Sequence, residues 1–312
     1  MKAFIDYLEQ KDLAIRTIGD YLEIVTRFKE HIKLEEIQIT KPDILDYLKH
    51  LKTKGLQNVA RQKTLKVLNQ YFTYLFEKKQ VTENPCWGLK IRGTKKQILY
   101  KIYTPAELNQ LFDNYYTVFI QNFDDRHIAK NMKKYAELGR ERNALMLNIL
   151  INQGISINEL NTIEISDIDL KKLTLRMKGS RTHKRRILPI KPSQMGIFYY
   201  YLHDIHPQLL EYQTNDNQNK LFLPLPQAHK QVTNSNTTKQ TICTLIKQVK
   251  SIDSNFTGFQ QVRASVITSW LKTYGLRRTQ YLAGHYKVAS TEKYQVNNLD
   301  DLTNDINNLH PF

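Results

Sequence analysis

Apolar residues recur every three to four positions through the first 80 residues, a spacing that predicts amphipathic helices. In "TIGDYLEIVTRFKEHI", Ile18, Tyr21, Leu22, Val25, Phe28 and Ile32 fall on one face. "TKPDILDYLKHLKTKG" opens at Thr40 and Pro42, keeps Ile44, Leu48 and Leu51 in phase, and stops at Gly55. "TLKVLNQYFTYLFEKKQ" aligns Leu65, Leu68, Phe72, Leu75 and Phe76. These stripes read as core, while the opposite faces carry Arg16, Lys29, Lys33, Lys52, Lys54, Arg61, Lys63 and Lys66.

The pattern then breaks. "NPCWGLKIRGTKKQILYK" (84–101) combines Pro85, two glycines and the cations Lys90, Arg92, Lys95, Lys96 and Lys101, which reads as a basic linker that touches phosphate. "TPAELNQLF" restarts helix: Thr104 caps, Pro105 takes the first turn and Glu107 closes a capping box. "RNALMLNILINQ" is apolar enough to be central core. In "KLTLRMKGSRTHKRRILPI" the period switches to two, with Leu173, Leu175 and Met177 alternating with Thr174 and Arg176, and predicts a β-hairpin with a basic tip. Residues 213–240 read as loop around the extended "LFLPLP", and helices return from about 238. The expected fold is mainly α with a small β-hairpin, divided as 1–83, a basic linker 84–102, and 103–312 ending in a tail helix.

Charge adds a partner to this picture. The 46 Lys and Arg exceed the 30 Asp and Glu by 16, so a polyanion, above all nucleic acid, is the expected partner. The basic residues are spread along the chain, which argues against a membrane-surface helix, and the apolar run "ALMLNILI" is too short to span a bilayer. Two cysteines, Cys86 and Cys243, indicate no disulfide framework and make a reducing cytoplasm the expected location. No paired CxxC is present, and "HDIH" (His203, His206) has no further ligands nearby, so it reads as helix surface. Neither a phosphate-binding GxxxxGKS loop nor a Gly-rich dinucleotide turn occurs. Covalent chemistry without metal or cofactor is what remains.

The last stretch, "VRASVITSWLKTYGLRRTQYLAGHYKVASTEKY" (262–294), resembles the C-terminal signature of the tyrosine recombinases, the phage integrase family. There an arginine opens a small-residue helix, a glycine follows, and a nucleophilic tyrosine lies nine residues beyond the histidine of "LGH"; here these are Arg263, Gly275, His285 and Tyr294. Other segments match in order: "NP" at 84–85, "TPAEL", "GISINELNTIEISDIDL" (154–170) and "MKGSRTHKRRILPI". The resemblance implies an N-terminal helical core-binding domain and a C-terminal tyrosine-recombinase catalytic domain clamped around duplex DNA. It also implies strand exchange through a 3′-phosphotyrosine inside a DNA-bound homo-oligomer of two or four subunits, with a partner recombinase as a further possible component. In the tail "NNLDDLTNDINNL", Leu299, Leu302, Ile306 and Leu309 recur at helical spacing and imply docking on a neighbouring subunit.

Residue by residue, Tyr294 matches the nucleophile, Arg263 the second arginine, His285 the late histidine, Lys178 the hairpin lysine and Glu159 the acidic residue after the first arginine. Two positions depart: Ser156 stands where the family has its first arginine, and Gln260 where it has a histidine. A tyrosine hydroxyl, with an ordinary pKa of about 10, needs help to attack phosphorus. Guanidinium forks suit the charge that develops on the non-bridging oxygens, which assigns Arg263 as clamp with His285 as a further donor. The resemblance implies that Lys178 is the general acid for the departing 5′-oxygen. Serine brings no charge, and glutamine no proton near neutral pH. Arg140 and Arg142, which begin the helix leading to Ser156, are candidates to compensate. Arg181, Lys184, Arg185 and Arg186 on the hairpin are expected to hold DNA phosphate, together with Lys90, Arg92, Lys95 and Lys96. The rival readings are a DNA-binding accessory subunit that kept the fold and lost the chemistry, and an RNA-binding helical protein. Charge alone supports the RNA-binding reading; the ordered motifs do not.

Overall fold

The structure, a computed structural model, describes residues 1–93, 100–213, 218–225 and 237–295, without the side chains of 237–239. Contacts divide the chain into two compact units, Met1–Ile98 and Leu99–Phe312.

The first unit is four helices: α1 Lys2–Gln10, α2 Ile15–Ile32, α3 Lys41–Thr53 and α4 Asn58–Glu77. The expected stripes are its core, with Ile18, Val25, Phe28, Ile44, Leu48, Leu65, Leu68, Phe72 and Leu75 buried. Phe76 departs from its stripe and stays exposed, edge-on to Trp87. A capping box between Thr40 and Asp43 starts α3, and Gly55 beyond its end takes a positive φ of 83°. Three of the outward cations are engaged: Lys29 pairs with Glu36, Lys63 pairs with Asp20 at 2.6 Å, and Arg61 donates to Asn58 Oδ1 at 2.6 Å. The segment after α4 packs back on this core. Asn84 is buried and donates to Asn69 and Thr73, Cys86 is buried, and Leu89 and Ile91 lie against the cluster. Lys90 and Arg92 in this segment are exposed, whereas Lys95 and Lys96 lie outside the described residues.

The second unit is built around α6 (Lys133–Gln153), preceded by α5 (Pro105–Tyr116) with the expected Thr104–Glu107 capping box. The run Ala144–Leu147 and Ile149–Ile151 of α6 is buried, as its apolarity on all sides requires, with Asn148 buried between the two parts. A single turn, α7 (Ile157–Leu160), leads to an antiparallel sheet of β1 (Ile168–Asp169), β2 (Thr174–Met177) and β3 (Arg186–Pro189). Leu175 pairs with Leu188 and Met177 with Arg186, which sends Leu175, Met177 and Leu188 into the core. Short helices α8 (Met195–Tyr200) and α9 (His206–Leu210) follow. His206, expected on a helix surface, is instead buried, with Nε2 at 2.9 Å from the Lys220 carbonyl; the His203 ring lies against Tyr199, tilted by 38°. Leu221, Phe222 and Leu223 are buried.

The chain then forms α10 (Thr237–Ile252), α11 (Phe259–Ala283) and α12 (Ala289–Glu292). Gly275, with φ 69° and ψ 178°, breaks α11. A straight helix would separate residues twenty apart by roughly 30 Å. The break turns the last helical segment back, so that Ala283 returns to Arg263 in the first turns of the same element. Among the described residues no helix is long and apolar enough to cross a membrane. The expected tail helix over 297–309 lies outside the described residues.

Candidate active site

The site forms where α6, α7, the hairpin and the two ends of α11 meet. Arg263 is its centre. Nη1 donates to the Gly154 carbonyl at 2.6 Å, and Nη2 donates to the Ala283 carbonyl at 2.9 Å. Both acceptors are helix C-terminal carbonyls without intrahelical partners, at the negative end of the helix dipole. The guanidinium therefore ties the end of α6 to the end of α11. Burial pushes its pKa down, against the pull of Glu159 and of the facing Tyr294 phenol.

Gly284, at φ 72°, ends α11 in the left-handed region and delivers His285 into the site. His285 Nε2 lies 3.3 Å from Arg263 Nη2, and its Nδ1 lies 2.9 Å from Thr291 Oγ1. Burial first, and then the neighbouring Arg263, push His285 down to about 4. The imidazole is thus neutral at pH 7, with Nε2 accepting from the guanidinium and Nδ1–H left for Thr291. One turn later the half-buried Tyr294 stacks nearly parallel to His285, with ring centroids 5.9 Å apart and planes at 10°. Its backbone is fixed by Thr291 at 3.0 Å and Thr268 at 3.5 Å.

Glu159 is the counter-charge. It is 5% exposed, accepts from Arg186 Nη1 at 2.6 Å, and lies 3.6 Å from Arg263 Nη1. Burial raises its pKa, but the Arg186 bond and the Ser156 amide outweigh this and hold the carboxyl below its usual range. Ser156, at the position that departs from the family, closes a capping box with it. Ser156 N and Oγ donate to Glu159 Oε2 at 3.0 and 2.9 Å, and Ser156 Oγ accepts from Glu159 N at 3.3 Å. Gln260, the other departure, is exposed on the first turn of α11.

Several expected roles fall elsewhere. Arg186, expected to grip DNA phosphate, is buried: Nε donates to the Leu282 carbonyl at 2.6 Å, Nη1 binds Glu159, and Nη2 has no hydrogen-bond partner among the described residues. The register of β2 on β3 places this residue on the inner face, which its sequence position within "HKRR" does not reveal. Arg140 and Arg142 do not compensate for Ser156. Arg140 lies over the Phe123 ring at 3.6 Å, and Arg142 is buried against the Leu223 carbonyl at 2.7 Å, with burial lowering it to about 10. Lys178 is half-exposed and held by Glu164 at 2.5 Å and Asp167 at 3.8 Å. It lines a cavity of about 720 Å³ with Arg176, Arg185 and Arg186. Among the described residues no hydrogen bond joins it to Arg263, His285 or Tyr294. Arg181, Lys184 and Arg185 are exposed at the hairpin tip.

One site residue escapes the sequence reading. His183, inside the basic tip, turns its ring inward, with Nε2 3.3 Å from Arg263 Nη2 and 3.9 Å from Glu159. Its flanking positions are all solvent-facing cations and hydroxyls, so no periodicity marks it.

The arrangement can hold an anionic tetrahedral group against a guanidinium, beside a phenol and two imidazoles. Residues 119–300, more than half of the chain, match the Phage integrase family, and residues 1–83 match its N-terminal SAM-like domain. Tyrosine recombinase XerC of Anoxybacillus flavithermus is 26% identical over 216 residues, covering 67% of this chain and 65% of XerC. The chain thus spans slightly under two thirds of that relative. Tyrosine recombinase XerD of Proteus mirabilis is 24% identical over 303 residues, covering 94% and 87% of the two chains. The fold is similar to that of XerH site-specific recombinase bound to palindromic difH substrate, with a TM-score of 0.62 at 17% identity, covering 95% of this chain and 80% of XerH. With Arg263, His285 and Tyr294 inside the matched span, and the helical first unit matching the domain that accompanies it, the chain belongs to the phage integrase family.

Proposed function

We propose that this chain is a site-specific DNA recombinase that cleaves and rejoins duplex DNA through a 3′-phosphotyrosine. The observation that carries the reading is the convergence of Arg263, His285, Glu159 and Tyr294 from segments more than a hundred residues apart. A scissile phosphodiester docks its non-bridging oxygens on the Arg263 guanidinium, whose N–H groups are preorganised by Glu159 and two helix ends. Tyr294 Oη attacks phosphorus as its proton leaves, the bond to the 5′-oxygen breaks, and that oxygen takes up a proton. Lys178 is the general acid, and it leaves Glu164 to act. The phosphotyrosyl ester conserves the energy of the broken bond, so a 5′-hydroxyl from another strand can reverse the step without nucleotide hydrolysis.

Duplex DNA is the partner, gripped through Lys90, Arg92, Arg181, Lys184 and Arg185. The net charge of +16 and the similarity to XerH bound to palindromic difH substrate support this, and the reading takes the chain to work on DNA as a homo-oligomer. The cytoplasm, where DNA and reduced cysteines coexist, is the compartment this reading requires. The chain is read as the recombinase of a mobile element, and the test uses a duplex of that element's own end, nicked beside the cleavage point so that cleavage is trapped. The wild-type chain forms a covalent adduct on a denaturing gel and Tyr294→Phe does not. Specific DNA binding without any adduct, even with a partner recombinase added, assigns the chain to the accessory role instead.

A further inference from the structure

We propose that His183 is a second phosphate-oxygen ligand of the Tyr294 site, placed opposite His285 across Arg263 Nη2. The inference rests on the recombinase reading and assigns that site a residue from the hairpin tip.

The tip is built to hold this ring. Ser180 N donates to the His183 carbonyl at 2.8 Å, and His183 N donates to Ser180 Oγ at 3.1 Å, closing the turn. His183 pairs with His285 in an antiparallel bridge, Lys184 N donates to the Gly284 carbonyl at 2.8 Å, and Tyr286 Oη donates to the Ser180 carbonyl at 3.0 Å. The bridge, of which the Lys184 bond is part, and the Tyr286 hydroxyl thus strap the tip to the turn that carries His285. Thr182 Oγ1 lies 2.9 Å from His183 Nδ1, which leaves Nε2 for the site. The side chain is 17% exposed, although Arg181, Thr182, Lys184 and Arg185 around it are all exposed.

Stability does not explain the placement, because the ring faces the guanidiniums of Arg263 and Arg186, with Glu159 the only carboxylate beside it among the described residues and His285 beyond. Arg263 Nη2 has two hydrogens. One goes to the Ala283 carbonyl, and the imidazoles of His183 and His285 contest the other, each at 3.3 Å. An anionic oxygen that takes this hydrogen sits between the two Nε2 atoms. Each imidazole then takes a proton from solvent and changes from acceptor to donor, because the anion offsets the Arg263 charge that adds to burial in lowering both rings. Gln260 lacks this capacity, so the titratable partner comes from the hairpin instead of the first turn of α11.

Two measurements on the full chain test this. The first is single-turnover adduct formation on the nicked duplex, comparing wild type with His183→Gln between pH 5.5 and 8.5. The expected result is a loss of about 100-fold or more in rate with DNA affinity little changed, and an altered pH profile. The second follows the His183 imidazole resonance of Tyr294→Phe, assigned with His183→Gln, as inorganic phosphate is added. The expected result is an upward shift of its titration midpoint. Wild-type adduct with an unimpaired His183→Gln rate and profile overturns this inference and leaves the recombinase reading standing. A phosphate-dependent midpoint without any wild-type adduct supports the anion site and overturns the recombinase reading. A midpoint that ignores phosphate, with no adduct, overturns both.

Discussion

His285 is held neutral by burial and by Arg263, and this has a thermodynamic consequence. Its folded pKa of about 4 lies below the ordinary histidine value, so between these limits the unfolded chain binds the extra proton. Stability is therefore complete above about pH 6.5 and is lost as pH falls towards 4, by an amount on the order of 3 kcal/mol. Urea denaturation at pH 7.5 and 5 should show the drop, and His285→Gln should flatten it. His183 and His206, also lowered by burial, act in the same direction and leave a residual slope. Glu159 works in the same sense at lower pH, since its lowered pKa stabilises the fold above the ordinary glutamate range and that stability is lost as pH falls below it. Glu159→Gln strips the buried Arg186 of its counter-charge, and the expected loss is about 3–5 kcal/mol in chemical denaturation at pH 7.

At the scale of the element, short capped turns and backbone breaks position the site. Ser156 closes the capping box of α7, a role that "SINE" carries in its spelling as a serine three residues before a glutamate. Compared with the family, the same serine reads as a missing charge, and the structure supplies its local function. Ser156→Ala is expected to cost about 1 kcal/mol, measured as a lowered denaturation midpoint. At Gly284 the backbone is left-handed, and a Cβ there would collide with the Arg186 guanidinium. Gly284→Ala should therefore lower the melting temperature, and it should slow adduct formation by pushing Arg186 away from Glu159.

At the scale of the whole molecule the excess of 16 positive charges dominates. Under the proposed function, DNA affinity falls steeply with salt, in proportion to the phosphates neutralised. Lys184→Ala with Arg185→Ala should weaken binding on all sequences and reduce the slope of log K against log salt by about 1 for each phosphate no longer neutralised. Arg186→Ala should change stability far more than it changes that slope, because its guanidinium is sealed inside. The helices, the hairpin and the Tyr294 signature were legible from spacing, since the apolar period and the caps are local properties of a few neighbouring residues. Arg263, His285 and Tyr294 were legible because one contiguous stretch holds all three. What needed the tertiary structure was the allocation of charge. Whether Arg186 or Arg185 turns inward depends on strand register, whether His183 enters the site depends on the hairpin strapping to the His285 turn, and whether Arg140 and Arg142 compensate depends on where α6 points them. These outcomes are set by residues a hundred positions apart meeting in a low-dielectric interior, where one buried carboxylate selects which guanidinium it keeps.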